Sequence, residues 1–71
     1  MEVQEFVVKF NNLTKNLPEK EIGDYLHISQ LTISRWKKGL NCPYVKIRPL
    51  VIMTLEAKYM VKKHIRKGAV F

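Results

Sequence analysis

Apolar residues recur along the chain at helical rather than alternating spacing. Val3, Phe6, Val7, Phe10 and Leu13 follow the i, i+3, i+4, i+7 rhythm of one buried helical face, with Glu2 and Glu5 near the positive end of its dipole. The polar run NNLTKNLP ends this first helix. Pro18 suits the first turn of a second helix, Glu19 and Glu21 follow near its positive end, and Ile22 and Leu26 lie four apart on its inner face. A tight turn comes next at His27, Ile28 and Ser29, where Ser29 is a good N-cap for a third helix. Ile33 and Trp36 share the inner face of that helix, Lys37 and Lys38 sit at its negative end, and Gly39 closes it as a left-handed cap. The stretch LNCPYVKIRP reads as a loop or loose turn. Pro49 then opens a long fourth helix reaching about Arg66, because a proline inside a helix would break it.

These periodicities predict an all-α fold: a small four-helix domain with a long C-terminal helix, residues 1–71 forming one unit. The core is thin. A chain of 71 residues buries roughly 60 % of its unfolded surface, and a core of that size rarely supplies more than about 3 to 5 kcal/mol. Self-association is therefore expected to add stability. Leu50, Val51, Ile52, Met53 and Leu55 leave the first two turns of the fourth helix without a polar side, which implies burial all round. Part of this surface, or the apolar tail Ala69, Val70 and Phe71, is a candidate dimer contact; folding back onto the monomer core is the alternative.

Composition narrows the chemistry. A single cysteine, Cys42, excludes an internal disulfide and a cysteine-based metal site and suits a reducing, cytoplasmic setting. The N-terminal MEVQEFVVKFNN lacks the basic-then-apolar form of a signal peptide. PLVIMTL, the longest uncharged run, is far short of the ~20 residues of a membrane span. The formal net charge of +7 is unevenly placed: residues 1–24 hold five acids and three lysines, whereas residues 25–71 hold ten bases and Glu56 alone. Such segregation is the electrostatic footprint of a polyanion partner, nucleic acid before membrane. Catalysis finds little support, since His27 and His64 are far apart in sequence, Cys42 has no evident base nearby, and no phosphate loop or paired carboxylates occur. No enzyme activity, cofactor, metal or small-molecule substrate is expected.

Two short helices joined by a tight turn, the second polar outside, have the form of a helix-turn-helix over about residues 18–39. Ile22, the small Gly23, Leu26, Ile28, Ile33 and Trp36 fall where that motif needs buried groups, the glycine allowing close approach. The stretch EKEIGDYLHISQLTISRWKKG, with CP a few residues on, resembles the helix-turn-helix of the Cro and phage-repressor family of transcriptional regulators; TISRWKKG is its most recognisable part. The resemblance covers residues 18 to about 43 and extends to the flanking helices only in placement. It implies a lambda-repressor-like fold, a third helix that enters the major groove of double-stranded DNA, a homodimer on an inverted repeat, and a bacterial cytoplasm or that of a phage's host. Two positions depart from the family pattern. His27 stands where the turn typically has glycine, although histidine is among the types enriched in left-handed backbone, and Pro49 falls where the family's fourth helix would already be running.

The third helix carries no acid, as suits a helix facing phosphates. Gln30 matches the family position that often reads a base, and glutamine can pair bidentately with adenine. Leu31 or the Thr32 methyl suits a thymine methyl; Ser34 and Arg35 project one turn later, Arg35 toward guanine or phosphate. Ser29, Lys37, Lys38, Lys46 and Arg48 are read as phosphate contacts, which set position and salt dependence. For each residue taken singly, a capped and solvated helix face is the alternative. Trp36 is read as core rather than as a stacking platform, while Tyr25 and Tyr44 are open between phosphate contact and partial burial. A second basic stripe, Lys58, Lys62 and Arg66 with Lys63 and Lys67 beside it, is open between flanking DNA, an acidic partner and an anionic membrane, with DNA ranked above membrane for want of a deep apolar face. Three functions remain in view: a repressor-type regulator occupying an operator, a DNA-binding accessory of a recombinase or transposase, and an adaptor that inhibits another regulator.

Overall fold

A computed structural model describes residues 1–60. They form four α-helices, α1 (Val3–Thr14), α2 (Glu19–Leu26), α3 (Gln30–Lys37) and α4 (Arg48–Leu55), and α4 runs on into a π turn, Glu56–Met60. The all-α, four-helix expectation holds. The expected extension of the last helix to about Arg66, the tail Ala69 to Phe71, and Lys62, Lys63, Arg66 and Lys67 lie outside the described residues.

One core joins all four helices. Phe6 and Phe10 of α1, Ile22 of α2, Ile33 and Trp36 of α3, and Val51, Ile52 and Leu55 of α4 are buried together. Phe6 and Phe10 stack with ring centroids 5.4 Å apart, and the Trp36 indole meets each edge-on at 5.8 Å. Its Nε1–H donates to the Asn41 carbonyl at 2.8 Å, so the one polar atom of the ring is satisfied. Trp36 is therefore core and takes no part in stacking on a ligand.

The apolar stripe of α1 is narrower than its spacing suggests. Val3 is exposed at the rim, Val7 and Leu13 are half-buried, and the fully buried position after Phe10 is Thr14. Its hydroxyl donates to the Phe10 carbonyl one turn back at 2.7 Å, which lets a polar residue occupy an apolar site. The two prolines expected to open helices, Pro18 and Pro49, each sit one place from expectation. Pro18 is the N-cap of α2, with an extended ψ of 142°, rather than a member of its first turn. Pro49 is the second residue of α4, where the missing N–H has no intrahelical acceptor to lose.

The apolar opening of α4 divides between the two readings. Val51, Ile52 and Leu55 turn into the monomer core, while Leu50 and Met53, with Ile47 just before the helix, stay exposed along a second stripe.

Candidate nucleic-acid interface

Only His27, Ile28 and Ser29 separate α2 from α3. His27 takes the left-handed conformation (φ 60°, ψ 42°), and the Gly23 carbonyl accepts from the N–H of both His27 and Ile28, the latter at 2.8 Å. Gly23 is needed for contact rather than for conformation: a Cβ built there would lie 2.5 Å from the Ile28 carbonyl oxygen. The turn thus folds back against α2 at a distance that only a glycine permits.

Ser29 then caps α3. Its Oγ accepts from the Thr32 N–H at 3.2 Å and lies 2.8 Å from the Thr32 hydroxyl. At the other end the Arg35 carbonyl accepts from Leu40 N–H at 2.8 Å and the Trp36 carbonyl from Gly39 N–H at 3.0 Å, with Gly39 at φ 81°. This is a glycine-terminated helix stop of the Schellman type. Asn11 of α1 adds a side-chain bond to the Lys37 carbonyl at 3.1 Å, which ties the C-terminal end of α3 to the body of the domain.

Because Ile33 and Trp36 point inward, helical geometry puts Leu31, Ser34, Arg35 and Lys38 on the opposite side, at i, i+3, i+4 and i+7. Leu31, Arg35 and Lys38 are exposed and Ser34 is half-buried. Gln30 is exposed at the first helical position, and Thr32 and Lys37 are half-buried on the flanks. No acid occurs from Tyr25 to Leu55, and the ion pairs among the described residues, Glu5 with Lys9 and Asp24 with Lys20, lie on α1 and α2. The positive charge of α3 is therefore not neutralised from within this group of residues.

The other residues read as phosphate contacts lie after α3. Lys46 is exposed in the turn before α4, next to the exposed Tyr44. Arg48 has a structural task as well: Nε donates to the Pro43 carbonyl at 2.7 Å and Nη1 to the Met1 carbonyl at 3.0 Å. Half-buried, it ties the loop after α3 to the start of the chain, and these two donors are not turned toward a ligand.

Tyr25 belongs to a cluster that periodicity did not reveal. Its ring meets Tyr59 edge-on with centroids 6.3 Å apart, and the Lys58 ammonium lies 4.4 Å from the Tyr25 centroid and 5.5 Å from that of Tyr59. The Tyr59 hydroxyl donates to the Glu21 carboxylate at 3.2 Å. Lys58, read from spacing as the start of a free basic stripe, is thus held against α2. Burial, the bond to Glu21, and the nearby Glu21 and Tyr25 raise the Tyr59 phenol above its usual pKa of 10.0. The neutral phenol is favoured, so the contact contributes stability below the ordinary phenol pKa and loses it as pH rises through the raised value. In a titration of tyrosinate absorbance, a step displaced above the ordinary value is expected, and Tyr59→Phe should remove it; a displaced step that survives would belong to another tyrosine.

Among the described residues no helix is long and apolar enough to cross a membrane, and no group of three His, Cys, Asp or Glu side chains could hold a metal ion. No family model, curated protein or solved structure matches the chain.

Proposed function

We propose that α2 and α3 form a helix-turn-helix of the Cro and phage-repressor kind and that the protein is a sequence-specific, double-stranded-DNA-binding regulator without enzymatic activity. The observation that carries this reading is the outward stripe of α3: hydrogen-bonding and cationic groups on a rigidly capped helix, within a run of residues free of acid. Base edges in the major groove present acceptors, amino donors and the thymine methyl, which the α3 side chains complement. Gln30, Leu31, Ser34 and Arg35 take base edges in this reading, and Lys37, Lys38 and Lys46 take phosphate. In this reading the protein acts by occupying an operator and excluding polymerase.

The same reading makes the protein a homodimer. What supports it is the exposed apolar stripe of Ile47, Leu50 and Met53, together with a core too small to leave much reserve stability.

The test is selection of bound sites from a random duplex pool at ~150 mM salt, where surface charges are screened as in cells. An inverted repeat with half-sites about 34 Å apart is the expected product. On that site Arg35→Ala should cost roughly 1 to 3 kcal/mol and relax preference at one position, whereas Lys38→Ala should weaken all sequences alike and lower the salt slope by about one. Binding without enrichment that vanishes as salt rises would favour the adaptor role.

A further inference from the structure

We propose that Leu31 reads the C5-methyl group of a thymine, so that one base pair of the preferred site is recognised by a single methyl group. This rests on the DNA-binding reading and deepens it. Surface leucines scattered singly are ordinary; what distinguishes Leu31 is its position. It is 60 % exposed, opposite Ile33 and Trp36, at the N-terminal end of the stripe that continues through Ser34, Arg35 and Lys38. Its helical neighbours Ser34 and Arg35, and His27 one turn before, are polar, and the apolar neighbour Ile28 is half-buried. Along its own helix and the turn before it, Leu31 is thus an exposed apolar point among polar and cationic neighbours.

Thymine supplies the matching group. Among the edges in the major groove the other features are hydrogen-bond donors and acceptors, and covering one of those with a leucine would strip its water without replacing the bond. Thr32 also carries a methyl, but its hydroxyl lies 2.8 Å from the Ser29 Oγ, its amide is bonded to the same atom, and the side chain is half-buried on the flank. Leu31 is the residue free to meet the groove. Because 5-methylcytosine carries the same methyl at the same ring position, the surface responds to methylation of a cytosine as well as to thymine.

The experiment uses the full chain and the duplex most enriched from the random pool, each thymine replaced in turn by deoxyuridine, which lacks only the methyl. Removing a contact worth one buried methyl should weaken the wild-type protein about fourfold at one thymine per half-site. Leu31→Ala, at an exposed position that keeps the fold, should bind the thymine and uracil forms alike, and Thr32→Ser should retain the full discrimination. Cytosine at that position should bind more weakly than 5-methylcytosine. Equal binding of every uracil form by the wild type would overturn the inference while leaving DNA recognition intact. Discrimination lost in Thr32→Ser and kept in Leu31→Ala would overturn it in favour of Thr32. A pool that yields no enriched duplex would overturn the DNA-binding reading itself, and this inference with it.

Discussion

Trp36→Ala is expected to leave the chain without a cooperative thermal transition. Truncating a buried tryptophan costs about 3 to 5 kcal/mol, and a core in a chain this short supplies about as much in total. The position magnifies the loss. The indole closes the aromatic triad with Phe6 and Phe10 and donates to the Asn41 carbonyl, so its removal opens a cavity between α1 and α3 and loses the bond that holds the following loop. Circular dichroism on heating would then show a shallow, sloping loss of helix in place of a sigmoid. Trp36→Phe separates the two contributions: it keeps most of the packing, loses the indole N–H, and should retain a sigmoid at lower temperature. A wild-type-like melt for Trp36→Ala would contradict the packing described above.

Gly23→Ala is the second large effect, and it acts through a single atom. The added Cβ would meet the Ile28 carbonyl oxygen at 2.5 Å and the Gln30 amide nitrogen at 3.6 Å, both backbone atoms. Neither can step aside alone, because Ile28 N–H is bonded back to Gly23 and Ser29 caps the helix that Gln30 begins. Overpacking of this kind costs about 1 to 3 kcal/mol. Relief requires α3 to move away from α2, so under the proposed function DNA affinity should fall even at temperatures where the variant is folded. Gly39→Ala is the contrast: its Cβ finds only the Val7 Cγ2 at an ordinary 3.6 Å, and the left-handed φ alone should cost roughly 1 kcal/mol. Comparable melts for the two alanine variants would mean that contact at Gly23 does not dominate.

Much of this arrangement was legible because it depends on local rules. Helical periodicity located all four helices; Ser29 and Gly39 marked the ends of α3; and Trp36, in phase with Ile33, was readable as core. The division of α4 between core and surface was not legible, because a helix apolar on every side contains no signal of which side meets the body of the domain. Arg48 was missed for another reason. Its partners are backbone carbonyls at Pro43 and Met1, and a carbonyl looks the same in every residue, so no pattern announces the contact. Thr14 escaped because its hydroxyl is satisfied within its own helix, which makes a polar letter behave as an apolar one. The Tyr25, Lys58 and Tyr59 cluster depends on the π turn, a change of backbone phase that side-chain spacing does not record.

The firm stop of α3 after eight residues limits how much a single copy can say. Such a rod is about 12 Å long, and B-DNA advances about 3.4 Å per base pair, so under the proposed function it would lie alongside three or four letters. A word that short recurs by chance every ~60 to ~260 base pairs, and a genome offers millions of competing sites. Capped by Ser29 at one end and stopped by Gly39 at the other, the helix has no ready way to extend such a word. Under the proposed DNA-binding function, an address long enough to be unique would have to come from a second word at a fixed spacing, so pairing of two copies would serve information as well as stability.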